Sequence, residues 1–325
     1  KDLKEIANKT KVLPNQDFSS LIKKVFMQKT KPVVIVLLGP TASGKTDLAI
    51  KIAKRINVGI HNIDSRQLYK GMDIGTAKPT FKQQQEIKHY LLDIADPNKP
   101  ITLHEFKKEA ESSLQSILKA KNVGFLVGGS GLYLKALTKG LCPPSVSPQE
   151  GLRKSLLEIG QIECHQILEK CDPYASQKIS PNDSFRTIRA LEVFYATGEK
   201  ISSLQTCKPP DWQLIELGID PSNLHERIAK RTKELFRNGL IEETKELIQK
   251  YGIQNPLLQT IGYKEAITVI QGGSSISQAI EITNIKTRQF AKKQRTWFRR
   301  QHNAKWLNEK NSLEEALSLI QNVIG

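Results

Sequence analysis

The stretch Gly39-Pro40-Thr41-Ala42-Ser43-Gly44-Lys45-Thr46 fits Gly-x-x-x-x-Gly-Lys-Thr, the spacing of a loop that wraps phosphates. Its two glycines let the backbone curl so that N–H groups point at phosphate oxygens. Lys45 can reach the outer phosphates, and the Thr46 hydroxyl can hold Mg²⁺. Most such loops hold a nucleoside triphosphate, yet the rest of the chain fits a triphosphatase poorly. A GTPase needs Asn-Lys-x-Asp, and Asn98-Lys99-Pro100-Ile101 lacks the Asp. An ATPase ends a later strand in an acidic residue that orders metal or water. The run VGFLVGG ends instead in Gly128-Gly129.

The only strand that reads as ending in a carboxylate is GIHNID, at Asp64. At the C-terminal edge of a parallel sheet, Asp64 shares a rim with the phosphate loop. It can accept a proton from a group held against the phosphates, or merely cap a turn; position alone leaves both open. Gly128-Gly129-Ser130-Gly131 is a second glycine-rich turn. Arg227 and Arg231, four apart on one helix face, can grip a diphosphate in forked geometry or face solvent. The segment KTRQFAKKQRTWFRR, residues 286–300, has no acidic residue and interleaves Phe290, Trp297 and Phe298 with cations. Helical spacing predicts buried aromatics and outward cations, aligned along a phosphate backbone.

The elements that must position these residues are legible as rhythm. VVIVLL before the phosphate loop reads as a strand, and DLAIKIAKRI behind it as a helix. With VGIHNID and VGFLVGG, short apolar runs alternate with helical patterns, which predicts an α/β core with a parallel sheet. Pro143-Pro144 and Pro209-Pro210 bracket helical patterns with no convincing strand between them, so residues 145–209 read as a helical insertion on two hinges. WQLIELGID then resumes the core. The expected organisation is an N-terminal extension (1–31), the first part of a P-loop NTPase-like core (32–144), the insertion (145–209), and the core's continuation with C-terminal helices (210–325).

Composition narrows the partners. Lys and Arg number 49 against 33 Asp and Glu, a net charge of +16, which favours a polyanion such as nucleic acid. Four cysteines without a C-x-x-C pair argue against a disulfide framework and against a common zinc site. The longest clean apolar run is too short to span a bilayer. A cytoplasmic protein is expected, or an organellar one if the Lys-rich residues 1–31 are the remnant of a leader.

GPTASGKT, IDSRQLYKGMDIGTAKP, HYLLDIADP, LVGGSGLYLKAL, PNDSFRTIRALEVF, QTIGYKEA and KKQRTWFR occur together and in order. The chain therefore resembles the tRNA dimethylallyltransferases, or tRNA isopentenyltransferases, over residues 32–308. The resemblance implies that the loop holds dimethylallyl diphosphate rather than ATP, although the motif itself is the nucleotide-binding, ATP-binding one. It implies transfer of the dimethylallyl group to the 6-amino group of the adenine 3′ of the anticodon, in tRNAs reading codons that begin with U. Mg²⁺ is the implied cofactor. The tRNA anticodon arm and the prenyl diphosphate are the implied partners of a monomer that acts away from membranes.

Carried over by motif, Asp64 becomes the base, with Lys45, Thr46 and Arg231 the other catalytic groups. The diphosphate site becomes Gly39 to Thr46 with Arg227 and Arg231. Expected tRNA contacts are Asp64-Ser65-Arg66-Gln67, Ser130, Arg153 and Phe185-Arg186-Thr187-Ile188-Arg189. Two C-terminal stretches join them: Gln259-Thr260-Ile261-Gly262-Tyr263-Lys264 and Lys292-Lys293-Gln294-Arg295-Thr296-Trp297-Phe298-Arg299. Phe185 departs from the family's usual Gln and would stack on a base instead of hydrogen-bonding. The competing readings are an adenylate isopentenyltransferase of cytokinin synthesis, a P-loop small-molecule kinase, and a non-catalytic RNA-binding protein.

Overall fold

Alternate residues of the strand ahead of the phosphate loop face opposite cores, which places that strand at the centre of the molecule. In the computed structural model, which describes residues 31–324, β1 (Val33–Leu38) is buried throughout. Val34, Val36 and Leu38 enter one core, and Val33, Ile35 and Leu37 the other. Each such side chain contributes about 1.5–3 kcal/mol by leaving water. The extension expected over residues 1–31 lies, apart from Lys31, outside the described residues.

From β1 the chain runs through α1 (Lys45–Ile56), β2 (Ile60–Ile63), α2 (Phe81–Glu86), β3 (His89–Tyr90), α3 (Leu103–Lys121), β4 (Val123–Gly128) and α4 (Gly131–Thr138). After β5 (Leu141–Cys142) come five helices: α5 (Glu150–Ile159), α6 (Gln161–Cys171), α7 (Pro173–Lys178), α8 (Ser184–Thr197) and α9 (Ile201–Leu204). Then follow β6 (Thr206–Cys207), β7 (Gln213–Gly218), α10 (Leu224–Arg237), α11 (Leu240–Tyr251), a 3₁₀ turn at Pro256–Gln259, α12 (Tyr263–Ile270), α13 (Ile276–Gln301), β8 (Lys305–Trp306) and α14 (Ser312–Ile324).

The main sheet has the order β3-β2-β4-β1-β7-β8, and every pairing is parallel. Helices α3, α4, α11, α12 and α13 contribute to the core on one face, and α1 and α14 to the other. Parallel strands need such cover on both sides. Because β1 is flanked by β4 and β7, the turns after β1, β2, β4 and β7 share the C-terminal rim, where open α/β sheets bind ligands.

The sequence suggests no strand between the two Pro-Pro pairs. The structure corrects this: β6 lies there and pairs antiparallel with β5, joining the two ends of the insertion in a short ribbon. A two-residue strand is too short to show a period, and β3 and β8 are illegible for the same reason. Helices α5 to α9 surround a small core of their own, with Leu156, Cys164, Leu168 and Leu191 at its centre. All four cysteines are free. Among the described residues, no helix is long and apolar enough to cross a membrane.

Candidate active site

The phosphate loop turns sharply between β1 and α1. Gly44 has φ 89°, a left-handed conformation that favours glycine, and a side chain there would sit 2.6 Å from the Arg227 guanidinium. Lys45 folds back over the loop, donating to the Pro40 carbonyl at 2.7 Å and approaching Ser43 Oγ at 3.4 Å. Burial pushes its ammonium down to about 7, helped by Arg231 and opposed by Asp64. An ammonium held so reluctantly gains from any anion placed beside it.

Asp64 follows directly on β2, two strands from β1 and so roughly 10 Å across the sheet. Its Oδ1 accepts the backbone N–H groups of Arg66 at 2.8 Å and Gln67 at 3.3 Å. One oxygen thus caps the turn; Oδ2 makes no hydrogen bond among the described residues. The two readings left open by position are compatible. The β4 turn lies between Asp64 and Lys45. A side chain on Gly128 would run into the Ile63 carbonyl, and one on Gly129 would stand 3.8 Å from Lys45 Nζ. The bare backbone there lets β4 lie close to β2 and leaves room for Gln294 Nε2, which a Gly129 side chain would meet at 2.8 Å. Ser130 Oγ accepts the Ser65 N–H at 2.9 Å and ties this turn to the Asp64 turn.

Helix α10 brings both arginines to the loop. Arg227 Nε donates to the Ala42 carbonyl at 3.1 Å, and Arg231 reaches Thr41 Oγ1 at 3.4 Å. Helix α13 lies alongside and divides its residues unexpectedly. Gln294 is buried: its Oε1 accepts the Thr41 N–H and its Nε2 donates to the Gly129 carbonyl, both at 2.8 Å. Arg295 bonds Asp220 at 2.7 Å, and Arg299 bonds the same carboxylate at 3.2 Å while lying over the Trp306 ring. Lys292, Lys293 and Thr296 are exposed or partly so, Trp297 packs against Gly131, and Phe298 is fully buried.

Two sequence expectations need correction here. Phe290 is 44% exposed rather than buried, because it lies off the face that carries Ala291, Gln294 and Phe298 inward. Asp64 is not alone at a strand end: Asp220, two residues past β7, sits on the same rim as a counter-ion for α13. Its signal is present in WQLIELGID, whose last residue is that aspartate.

Elsewhere the expected contact residues divide between surface and interior. Arg153 pairs with the buried Glu192 through Nε at 2.7 Å and NH2 at 3.1 Å, and Arg189 pairs with the same carboxylate. Burial opposes ionisation of Glu192, but bonds from Arg153, Gln149 and Arg189 hold it below the usual carboxylate range. Phe185 is 78% exposed and Arg186 is exposed beside it, whereas Thr187 and Ile188 are buried. In the 259–264 stretch Gln259, Ile261 and Lys264 are exposed; Gln259 Nε2 donates to the Ile253 carbonyl and Thr260 Oγ1 to the Leu257 carbonyl. Gly262 has φ 93° where α12 begins, and Tyr263 is buried. A cavity of about 220 Å³ opens beside Gly44 and Arg227, between α1, the end of β7 and α14; Asp64 does not line it.

Four likenesses bear on this arrangement. A family model described as IPP transferase matches residues 67–301. A tRNA dimethylallyltransferase of Prochlorococcus marinus is 76% identical over 92% of this chain and the whole of its own length. The crystal structure of a tRNA isopentenylpyrophosphate transferase from Bacillus halodurans superposes with a TM-score of 0.67, at 32% identity, over 90% of this chain and 97% of that one. A eukaryotic dimethylallyltransferase acting on tRNA superposes with a TM-score of 0.73, at 25% identity, over 90% of this chain and 79% of that one. The parallel sheet, the phosphate loop on its rim and these likenesses converge, and the chain belongs to the IPP transferase family, alongside the tRNA dimethylallyltransferases.

Proposed function

We infer that this chain transfers the dimethylallyl group of dimethylallyl diphosphate to the 6-amino group of the adenine 3′-adjacent to the anticodon, in tRNAs reading codons that begin with U. The observation that carries the inference is the placement of Asp64 Oδ2, without a hydrogen-bond partner among the described residues, on one rim with Lys45 and Arg231. The diphosphate occupies the loop, where backbone N–H groups, Lys45 and Arg231 take up the negative charge that grows as the allylic C–O bond breaks. The adenine amino group is a poor nucleophile because its lone pair is delocalised into the ring. As the C–N bond forms, the amino proton passes to Asp64 Oδ2 and diphosphate departs. The base must leave its stack to reach this rim.

Among the described residues, no cluster of three or more His, Cys, Asp or Glu could hold a metal unaided. The donor set fits Mg²⁺ that arrives with the diphosphate, for this ion commonly uses one or two protein oxygens and completes its shell with phosphate and water. Thr46 Oγ1 would be its protein ligand, and the ion would neutralise leaving-group charge. The decisive experiment is incubation with labelled dimethylallyl diphosphate and either bulk tRNA or AMP. Label in tRNA alone supports the reading; label in AMP alone would overturn it.

A further inference from the structure

Glu243, on α11, accepts four hydrogen bonds. Its Oε2 takes the backbone N–H groups of Asp73 at 3.1 Å and Ile74 at 2.7 Å. Its Oε1 takes the Gly75 N–H at 3.0 Å and the Tyr263 hydroxyl at 2.6 Å. Three successive N–H groups converging on a carboxylate form a backbone nest, and bonds to an ionised acceptor are roughly twice as strong as neutral ones. Tyr263 is 1% exposed, and burial together with Glu243 pushes its phenol far above the usual range, so it stays a donor. Gly75 lies against the Tyr263 ring, which any side chain there would strike.

From this nest the contacts continue towards the reacting groups. The next two carbonyls, of Thr76 and Ala77, both accept from Gln67 Nε2, at 3.2 and 3.0 Å. The backbone N–H of Gln67 in turn donates to Asp64 Oδ1. Lys78, nearly buried, holds the far side of the loop through Asp73 and Asp93, both at 2.5 Å, and the Tyr69 carbonyl at 2.9 Å. The loop is therefore pinned on both sides, and Gln67 links it to the Asp64 turn.

We propose that Glu243 and Tyr263 are a positioning pair: they set the 73–77 loop, and through Gln67 they aim the Asp64 carboxylate at the incoming adenine. The proposal rests on Asp64 being the base. It also joins GMDIGTAKP and QTIGYKEA, far apart in sequence: one supplies the nest and the other the tyrosine that shares its carboxylate.

The test uses the full chain with Tyr263→Phe, Glu243→Gln and Gln67→Ala, singly and in pairs. Single-turnover rate at saturating tRNA and prenyl diphosphate is measured beside prenyl-diphosphate affinity and melting temperature. Misaiming a reacting group by about 1 Å can cost on the order of 100-fold in rate. The expected loss is ~10- to 100-fold for Glu243→Gln and smaller for Tyr263→Phe, with prenyl-diphosphate affinity unchanged. Adding Gln67→Ala to either should cost little beyond the larger single effect, since all three lie on one route. Tyr263→Phe removes a single hydroxyl, so it remains informative if Glu243→Gln does not fold. Rate losses that multiply independently would overturn the proposal, as would a Tyr263→Phe variant at full speed or prenyl-diphosphate affinity falling in step with rate. Asp64→Asn separates the two readings. A near-wild-type rate for Asp64→Asn sinks the base and this proposal together; a slow Asp64→Asn with independent Glu243 and Gln67 effects sinks this proposal alone.

Discussion

Gln294 takes the Thr41 backbone N–H at 2.8 Å, across 253 residues of chain, and its amide reaches on to the Gly129 carbonyl. One side chain thus bridges the phosphate loop and the turn between Lys45 and Asp64. Removing it leaves the buried Gly129 carbonyl unpaired, which costs about 1–3 kcal/mol, and frees the half-buried Thr41 N–H. Gln294→Ala should lower the melting temperature and weaken prenyl-diphosphate binding, while tRNA affinity measured without prenyl diphosphate stays near wild type. Calorimetry and equilibrium binding of each substrate check this. Weaker tRNA binding by itself would place Gln294 on the RNA instead.

Asp64→Asn should abolish turnover while both substrates still bind. Asn is nearly isosteric and keeps an acceptor for the Arg66 and Gln67 N–H groups, so the turn should survive. It does not take up a proton at neutral pH, and loss of a general base costs ~100- to 10,000-fold. Single-turnover rates at saturation measure the loss. A rate within a few-fold of wild type would falsify the base assignment.

Prenyl-diphosphate binding should take up a proton above neutral pH. In the free protein Lys45 titrates at about 7, chiefly because burial penalises its charge. A polyanion in the loop raises that value, so the complex keeps a proton that the free protein has shed. Affinity should therefore weaken as pH rises above 7, by up to about tenfold per pH unit, and level off below 7. The free protein shows the opposite trend. Its unfolded chain binds the Lys45 proton up to about pH 10.4, so this group's contribution to stability rises with pH from 7 towards that value. Calorimetric titrations in buffers of differing ionisation enthalpy count the protons, and Lys45→Met should abolish the uptake.

Salt dependence of tRNA binding should distinguish the cations of α13. Lys292 and Lys293 are exposed, whereas Arg295 is engaged by Asp220. Replacing both lysines by Ala should reduce the slope of log K against log salt by about 1 for each RNA phosphate left without its cation. Arg295→Ala should change the slope less and the melting temperature more. Equal slope changes for all three would show that Asp220 releases Arg295 to the RNA.

Glu192→Gln should loosen the insertion without touching the phosphate loop. Its carboxylate is fully buried and holds both Arg153 and Arg189. The loss should stay below the ~3–5 kcal/mol typical of fully buried pairs, because both arginines are about a quarter exposed and solvent takes up part of their charge. The expected outcome is weaker tRNA binding with unchanged prenyl-diphosphate affinity, read by titrating each substrate. Equal weakening of both would mean that the insertion supports the loop itself.

The sequence by itself determined the chemistry at the loop and the class of fold. A phosphate loop is largely local: its glycine spacing lies within eight consecutive residues, and the short β-branched apolar run before it favours a buried strand. The order of the motifs along the chain was enough to carry the family resemblance. Tertiary structure alone decided which cations are available. KTRQFAKKQRTWFRR reads as one basic patch, yet Asp220 engages Arg295 and Arg299, and Gln294 in their midst turns inward to the loop. Likewise Arg153, expected as a tRNA contact, is engaged by Glu192 of α8, as is Arg189. Only the Arg189–Glu192 pair, three residues apart on one helix, is local; nothing local marks the others, because burial and distance between residues tens or hundreds of positions apart exist only once the sheet has formed and the helices have packed on it.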